Sequence, residues 1–181
     1  MYPFRWANNY GFRYRPAMRL MRAILIGCLT LILIGGSSSP AFSATWQDQM
    51  LSSLNSIRAE KGLKPLKMCA PLTTAAQKYA RVMATQNFFA HEGKDGSTAG
   101  QRIQSAGYNW RNANNATGIA ENIAAGQANV TAVMMDWKKS TGHYKNMTNS
   151  KFTHVGFGMA ENQKSTYKKY WVQNFGFGAK C

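Results

Sequence analysis

The hydrophobic period changes once along this chain, and that change limits the folds open to it. In three stretches between Trp46 and about Ser140 apolar residues recur three or four apart, the spacing of a helix that buries one face. Beyond residue 150 they alternate. Val155, Phe157 and Met159 are interleaved with Gly156, Gly158 and Ala160, and Tyr170, Val172 and Asn174 with Trp171, Gln173 and Phe175. Successive side chains on a strand point to opposite faces, so these segments read as two strands joined by the polar loop Glu161 to Thr166. Helices followed by a terminal hairpin predict an α+β fold in layers. No internal repeat interrupts residues 44–181, which are read as one domain.

Local signals place the helices. Thr45 caps a helix from Trp46 to Lys61, with Asp48 near its positive end, Met50, Leu51, Leu54 and Ile57 on its buried face, and Gly62 as the stop. Pro65 keeps Leu63 to Leu66 out of the helix. Pro71 suits the first turn of a second helix running to about Asn87, with Leu72, Ala75, Ala76, Tyr79 and Met83 inward. Its end delivers His91 into a glycine-bearing loop. Ser97 or Thr98 caps a short helix, Gln101 to Ser105, and Asn109 to Asn115 reads as surface loop. Gly118 to Ala124 is a strand or an ordered loop, which periodicity alone does not separate. Asn129 caps a helix with Val130, Val133, Met134 and Trp137 on its apolar face, ending near Ser140, where Gly142 acts as the stop and His143 follows.

Residues 1–43 read as an address. Arg19 and Arg22 precede the apolar run Ala23 to Ile34, and Ala41 and Ser43 form a small-residue cleavage site, the order of a secretory signal peptide cut after Ser43. Met18 is an alternative start. The apolar run falls short of the roughly 20 residues a membrane span needs, which argues against an uncleaved anchor. Leu25-Ile26-Gly27-Cys28 matches a lipobox, but the apolar run continues past Cys28. On the signal-peptide reading the protein is exported, periplasmic or extracellular, with no membrane span after cleavage. Two cysteines then remain, Cys69 and Cys181, and a pair in an oxidising compartment reads as one disulfide, with two free thiols as the alternative. In the chain-entropy picture, closing so long a loop contributes about 4 kcal/mol.

The net charge of +15 includes Arg5, Arg13, Arg15, Arg19 and Arg22; without them 17 basic residues face 7 acidic ones, an excess of ten. That excess favours anionic partners such as phospholipid headgroups or cell-wall polymers. The basic residues are scattered, however, and no nucleic-acid-binding motif accompanies them, so nucleic acid is not the expected partner.

Six blocks in order carry a family resemblance: Leu54-Asn55-Ser56-Ile57-Arg58, Phe89-Ala90-His91, Gly118-Ile119-Ala120-Glu121-Asn122-Ile123, Trp137 to Met147, Val155-Gly156-Phe157-Gly158 and Trp171 to Gly176. Together they resemble the CAP superfamily of cysteine-rich secretory, antigen 5 and pathogenesis-related proteins, in its bacterial SCP-domain branch. The resemblance implies an α-β-α sandwich with a small antiparallel sheet between helical layers. It also implies a central cleft lined by two histidines and acidic residues. His91 matches the first histidine, Glu121 the acid and His143 the second histidine, while Ser140 stands where a second acid usually lies.

Three chemistries suit this set. His91, Glu121 and His143 would make a three-ligand set for Zn²⁺ with a position left open. Glu121 could instead hydrogen-bond His143 with Ser140 nearby, a Ser-His-Glu arrangement for a hydrolase or protease-like enzyme. Or the three form a hydrogen-bonded network that fixes the loops. Trp137, Trp171 and Phe175 read as core rather than cleft, and Tyr144 as a cleft residue beside His143. His154 is assigned no role. The primary expectation is a secreted CAP-domain protein that binds a small molecule, lipid-like or cell-envelope ligand at His91, Glu121, His143 and Tyr144, without turnover. A metal-assisted or Ser-His-Glu hydrolase, and a basic protein that binds anionic envelope polymers, are the alternatives.

Overall fold

The computed structural model describes residues 43–110, 118–178 and 180–181. The expected leader, except Ser43, and most of the Asn-rich loop lie outside them. Among the described residues no helix is long and apolar enough to cross a membrane.

The first helix, α1 (Trp46–Ala59), starts as the sequence indicates. Thr45 accepts from the Asp48 amide and the Asp48 carboxylate accepts from the Thr45 amide, a reciprocal capping box that satisfies two otherwise orphaned donors. The helix ends two residues before the expected Lys61, in a turn closed by Gly62 at φ 66°. A two-residue strand, β1 (Lys67–Met68), follows; so short a segment carries no readable period. Then come α2 (Ala70–Thr85), with Pro71 in its first turn, and α3 (Ala99–Ser105), capped by Thr98 with Gln101. Gly118 to Ala124 resolves into a strand, β2 (Ile119–Ala125), and Asn129 caps α4 (Val130–Lys139). The chain closes with α5 (Thr141–Met147), β3 (His154–Glu161) and β4 (Lys169–Gly176).

Three expectations need correction. Gly142 is not a stop, because it lies inside α5. The break is at Ser140, whose extended backbone (φ −87°, ψ 120°) ends α4 and begins α5, so His143 sits on a helix and not in a loop. Glu161 belongs to β3 and pairs with Lys169, which moves the hairpin loop to residues 162–168. Finally, Trp110 is buried against Ile103 and Tyr108, so the stretch read as surface loop begins by folding back on the core.

The sheet order is β1-β3-β4-β2, with β1 parallel to β3 and the other pairs antiparallel. Helices α2 and α3 cover one face and α1, α4 and α5 the other, giving the α-β-α sandwich. On the α2 face Ala76, Tyr79, Ala80 and Met83 pack on Ile123, Tyr170 and Val172. On the opposite face Met50, Leu54, Trp137 and Met147 pack on Val155, Phe157, Trp171 and Phe175. Trp137, Trp171 and Phe175 are therefore core, as expected, each with an apolar ring whose burial contributes about 2 kcal/mol or more. Cys69, at the N-cap of α2, is disulfide-bonded to Cys181.

The alternating glycines of β3 have a steric cause. A Cβ on Gly156 would lie 2.2 Å from the backbone of Leu72, and one on Gly158 2.2 Å from that of Ala76. Helix α2 thus rests its main chain directly on the strand. Gly158→Ala should force α2 off the sheet and destabilise the domain by about 2–3 kcal/mol, the scale of overpacking. Gly142→Ala should do the reverse, since nothing lies within 4 Å of its added Cβ and a helical glycine is replaced, with a gain of about 0.5 kcal/mol. Urea denaturation midpoints of the two variants check the opposite signs.

Candidate functional site

The site grows from the register of β2 on β4. Glu121 pairs with Asn174 and Asn122 with Gln173, so neighbouring side chains of β2 leave on opposite faces. Glu121 goes with Ile123 to the α2 side, where its side chain is 3% exposed. Asn122 goes to the α5 side and is fully buried.

Two side chains converge on Glu121. Arg102 of α3 donates from Nη2 to both carboxylate oxygens, at 3.2 and 3.0 Å. The His91 ring lies 2.9 Å away through Nδ1, which donates to Oε1 because an ionised carboxylate only accepts. The same Arg102 nitrogen donates to the main-chain oxygen of His91 at 2.9 Å, and its Nη1 donates to the Ser97 oxygen at 2.6 Å. The guanidinium lies 3.4 Å over the Tyr79 ring, a cation–π contact. The Tyr79 hydroxyl in turn donates to the Ala90 oxygen at 2.7 Å, and burial pushes its phenol up, keeping it a neutral donor. The loop that presents His91 is thus pinned on both sides of the residue. Its entry is set by Asn87, whose left-handed φ of 49° turns the chain out of α2, a conformation asparagine tolerates.

His91 itself is 59% exposed. An exposed imidazole oriented by a buried, charge-compensated carboxylate keeps Nε2 for whatever approaches from solvent.

His143 reaches the same neighbourhood from the other face. Its helix is held by Asn122, which donates to the His143 main-chain oxygen at 3.2 Å and accepts from Asn146 at 2.8 Å. Asn122 is tied in turn to Gln173 at 2.9 Å. Burial holds the His143 imidazole below its ordinary range, and the charge of His91 adds to the depression. His143 therefore senses the charge of His91 around the edge strand β2. Tyr144 packs half-buried against the core on the α1, α4 and α5 side.

The expected chemistries meet this geometry unequally. Glu121 is hydrogen-bonded to His91 and Arg102 rather than to His143, and Ser140 is the α4–α5 junction with no side-chain cap bond, so no Ser-His-Glu relay is assembled among the described residues. Nor do His91, Glu121 and His143 fit a Zn²⁺ site. Both Glu121 oxygens are engaged by a guanidinium that would repel a dication, and no group of three His, Cys, Asp or Glu is gathered for a metal among the described residues. The network reading comes nearest, with Arg102 as the member the sequence did not disclose. A short helix with one inward arginine has no period that marks it.

Fold and motif order together define the class. The family model for cysteine-rich secretory proteins, CAP, matches residues 51–175, and the chain belongs to that family. Among curated relatives, the uncharacterized protein YkwD of Bacillus subtilis is 30% identical over 139 residues, 77% of this chain and 50% of its own length. The uncharacterized membrane protein YlbC of the same organism is 30% identical over 131 residues, 72% of this chain and 34% of its own. The chain therefore spans half or less of these relatives. Among solved structures, an extracellular SCP-domain protein of Bacillus anthracis aligns with a TM-score of 0.60 at 29% identity, covering 72% of this chain and 39% of that one. An outer surface protein of Borrelia burgdorferi shares the fold, with a TM-score of 0.62 at 20% identity over 75% of this chain and 93% of its own.

Two outcomes follow from the site. Arg102→Ala leaves the Glu121 carboxylate buried beside His91 alone and should cost about 3 kcal/mol at neutral pH, read from the denaturant midpoint. The pH dependence comes from His143 and His154, both held below the ordinary 6.5 chiefly by burial. Below that value the unfolded chain takes up protons that the folded protein refuses, so stability is full above about pH 6.5 and falls as the pH drops towards the folded values. His143→Gln should reduce this loss below about pH 6.5.

Proposed function

We propose that this chain is an exported CAP-domain protein that binds, without turning it over, a small molecule, lipid-like or cell-envelope ligand at the surface carrying His91. The carrying observation is the pairing of a 59% exposed His91 with a 3% exposed Glu121 compensated by Arg102. A group this firmly oriented loses little freedom when it hydrogen-bonds a ligand. Its Nε2 suits a hydroxyl or ammonium donor, and His143, kept neutral by burial, adds a second imidazole without adding positive charge. Tyr144, next along α5, would supply an aromatic edge.

Binding is favoured over hydrolysis because the carboxylate is committed to His91 and Arg102 and no side-chain nucleophile is bonded to either histidine among the described residues. Export is supported by the leader-like residues 1–43, by the Cys69–Cys181 disulfide, and by relatives described as an extracellular protein and an outer surface protein.

The test is to purify the full chain from the exported fraction of its host and examine it by native mass spectrometry and solvent extraction. A retained ligand that is absent from His91→Ala, at equal denaturant midpoint, supports the reading. It is contradicted by a ligand-free protein whose His91 resonances do not move on adding an envelope lipid extract, or by release of product from such an extract.

A further inference from the structure

A second site lies remote in sequence from His91. A cavity of about 520 Å³ opens between the turn after α1, the chain entering β3 and the first residue of that strand. Lys64, Lys67, Ser150, Phe152, Thr153 and His154 line it. Its charge sets it apart from two other cavities, since the groove between α1 and α4 carries Asp48 and Glu60 and the cleft between α2 and α3 carries Asp95. Here the lining contains no carboxylate.

The walls are fixed by the side chains of buried Arg58 and half-buried Asn55, which the proposed site at His91 does not use. Arg58, 1% exposed, donates from Nε to the Lys64 oxygen at 2.9 Å, and from Nη1 to the oxygens of Met147 and Asn149 at 2.8 and 3.0 Å. One guanidinium thus ties the turn bearing Lys64 to the chain that leaves α5. Asn55 holds the Leu66 amide and carbonyl together, at 2.8 and 3.1 Å. The Lys67 amide donates to the Thr153 oxygen at 3.1 Å, and Lys67 pairs in register with His154. These bonds hold the backbone of both lysines on a frame tied to the core, so only their exposed side chains are left for a ligand to order.

We propose that this cavity binds a phosphate group, with Lys64 and Lys67 as its cations and the hydroxyls of Ser150 and Thr153 as neutral donors. Two ammonium groups and two hydroxyls suit a tetrahedral anion with several acceptor oxygens, for which lysine acts as a point charge. The volume leaves room for part of whatever carries the phosphate, either a polymer chain or a lipid headgroup. His154 reports on the site. Its Nδ1 meets the hydroxyls of Tyr108 and Thr153 at 3.3 and 3.2 Å, and burial together with the Lys67 charge holds it below its ordinary range. An anion beside Lys67 would offset that charge and favour the imidazolium. The site is independent of the reading at His91.

The test titrates the full chain with inorganic pyrophosphate at constant ionic strength while following His154 by NMR. Saturable binding with a rise in the His154 pKa is expected. It should weaken at least about tenfold in Lys64→Ala/Lys67→Ala, which loses two charge-assisted contacts, but less than about twofold in Lys139→Ala/Lys164→Ala, which loses equal charge elsewhere. His91→Ala should leave it unchanged. A glycerol-phosphate polymer and phosphatidylglycerol vesicles, tested side by side, then tell the two sources apart. Equal weakening in both lysine pairs, or an unmoved His154 with every probe, would overturn the proposal.

Discussion

The carboxylate of Glu121 is buried in a strand between two helical layers, and it is tolerated there only because other groups come to it. An unpaired charge in such a place costs several kcal/mol, enough to remove much of a small domain's stability. Compensation draws Arg102 in from α3 and His91 in from the α2 exit. Arg102 also holds the main chain of His91 and of Ser97, so a single electrostatic requirement orders the loop between α2 and α3. The presentation of His91 at the surface is a consequence of that requirement. His91 is exposed but aimed, because the group that aims it cannot leave the interior.

The rest of the sandwich makes this placement possible. Glycines at 156 and 158 let α2 lie on the sheet, which brings Tyr79 under Arg102 and its hydroxyl to Ala90. On the other face, the fully buried Asn122 binds the main chain of α5 and so sets His143 beside the same edge strand. The pleat of β2 divides the work between adjacent residues: Glu121 serves one histidine and Asn122 the other. Buried Arg58 and half-buried Asn55 play the same part for the turn after α1, where they order backbone around a cavity instead of contributing side chains to it.

Much of the fold was legible in the sequence. Thr45 with Asp48, and a cap at Ser97 or Thr98, are local signals that need nothing from the rest of the chain, and the alternation in the last third named both long strands. The two-residue β1 was not legible, because two residues have no period. Helix α5 was hidden by Gly142, since a glycine after a helix suggests a stop, whereas the real break is the extended backbone of Ser140. Within the site, His91, Glu121 and His143 came from motif resemblance. Their wiring did not, because partner choice depends on the register that sends Glu121 and Asn122 to opposite faces, and register is a tertiary property. That is also why the alternative of a Glu121–His143 bond gave way to Glu121–His91, and why Arg102 went unnoticed.

The aiming of His91 by Glu121 is measured most directly by the tautomer of the His91 ring, read from ring nitrogen chemical shifts in a long-range proton–nitrogen correlation spectrum above its titration. The Nδ1 contact to Glu121 predicts a neutral ring protonated at Nδ1 with a bare Nε2, and a mixture of tautomers in Glu121→Ala. A wild-type ring protonated at Nε2, with shifts unchanged by Glu121→Ala, would contradict it.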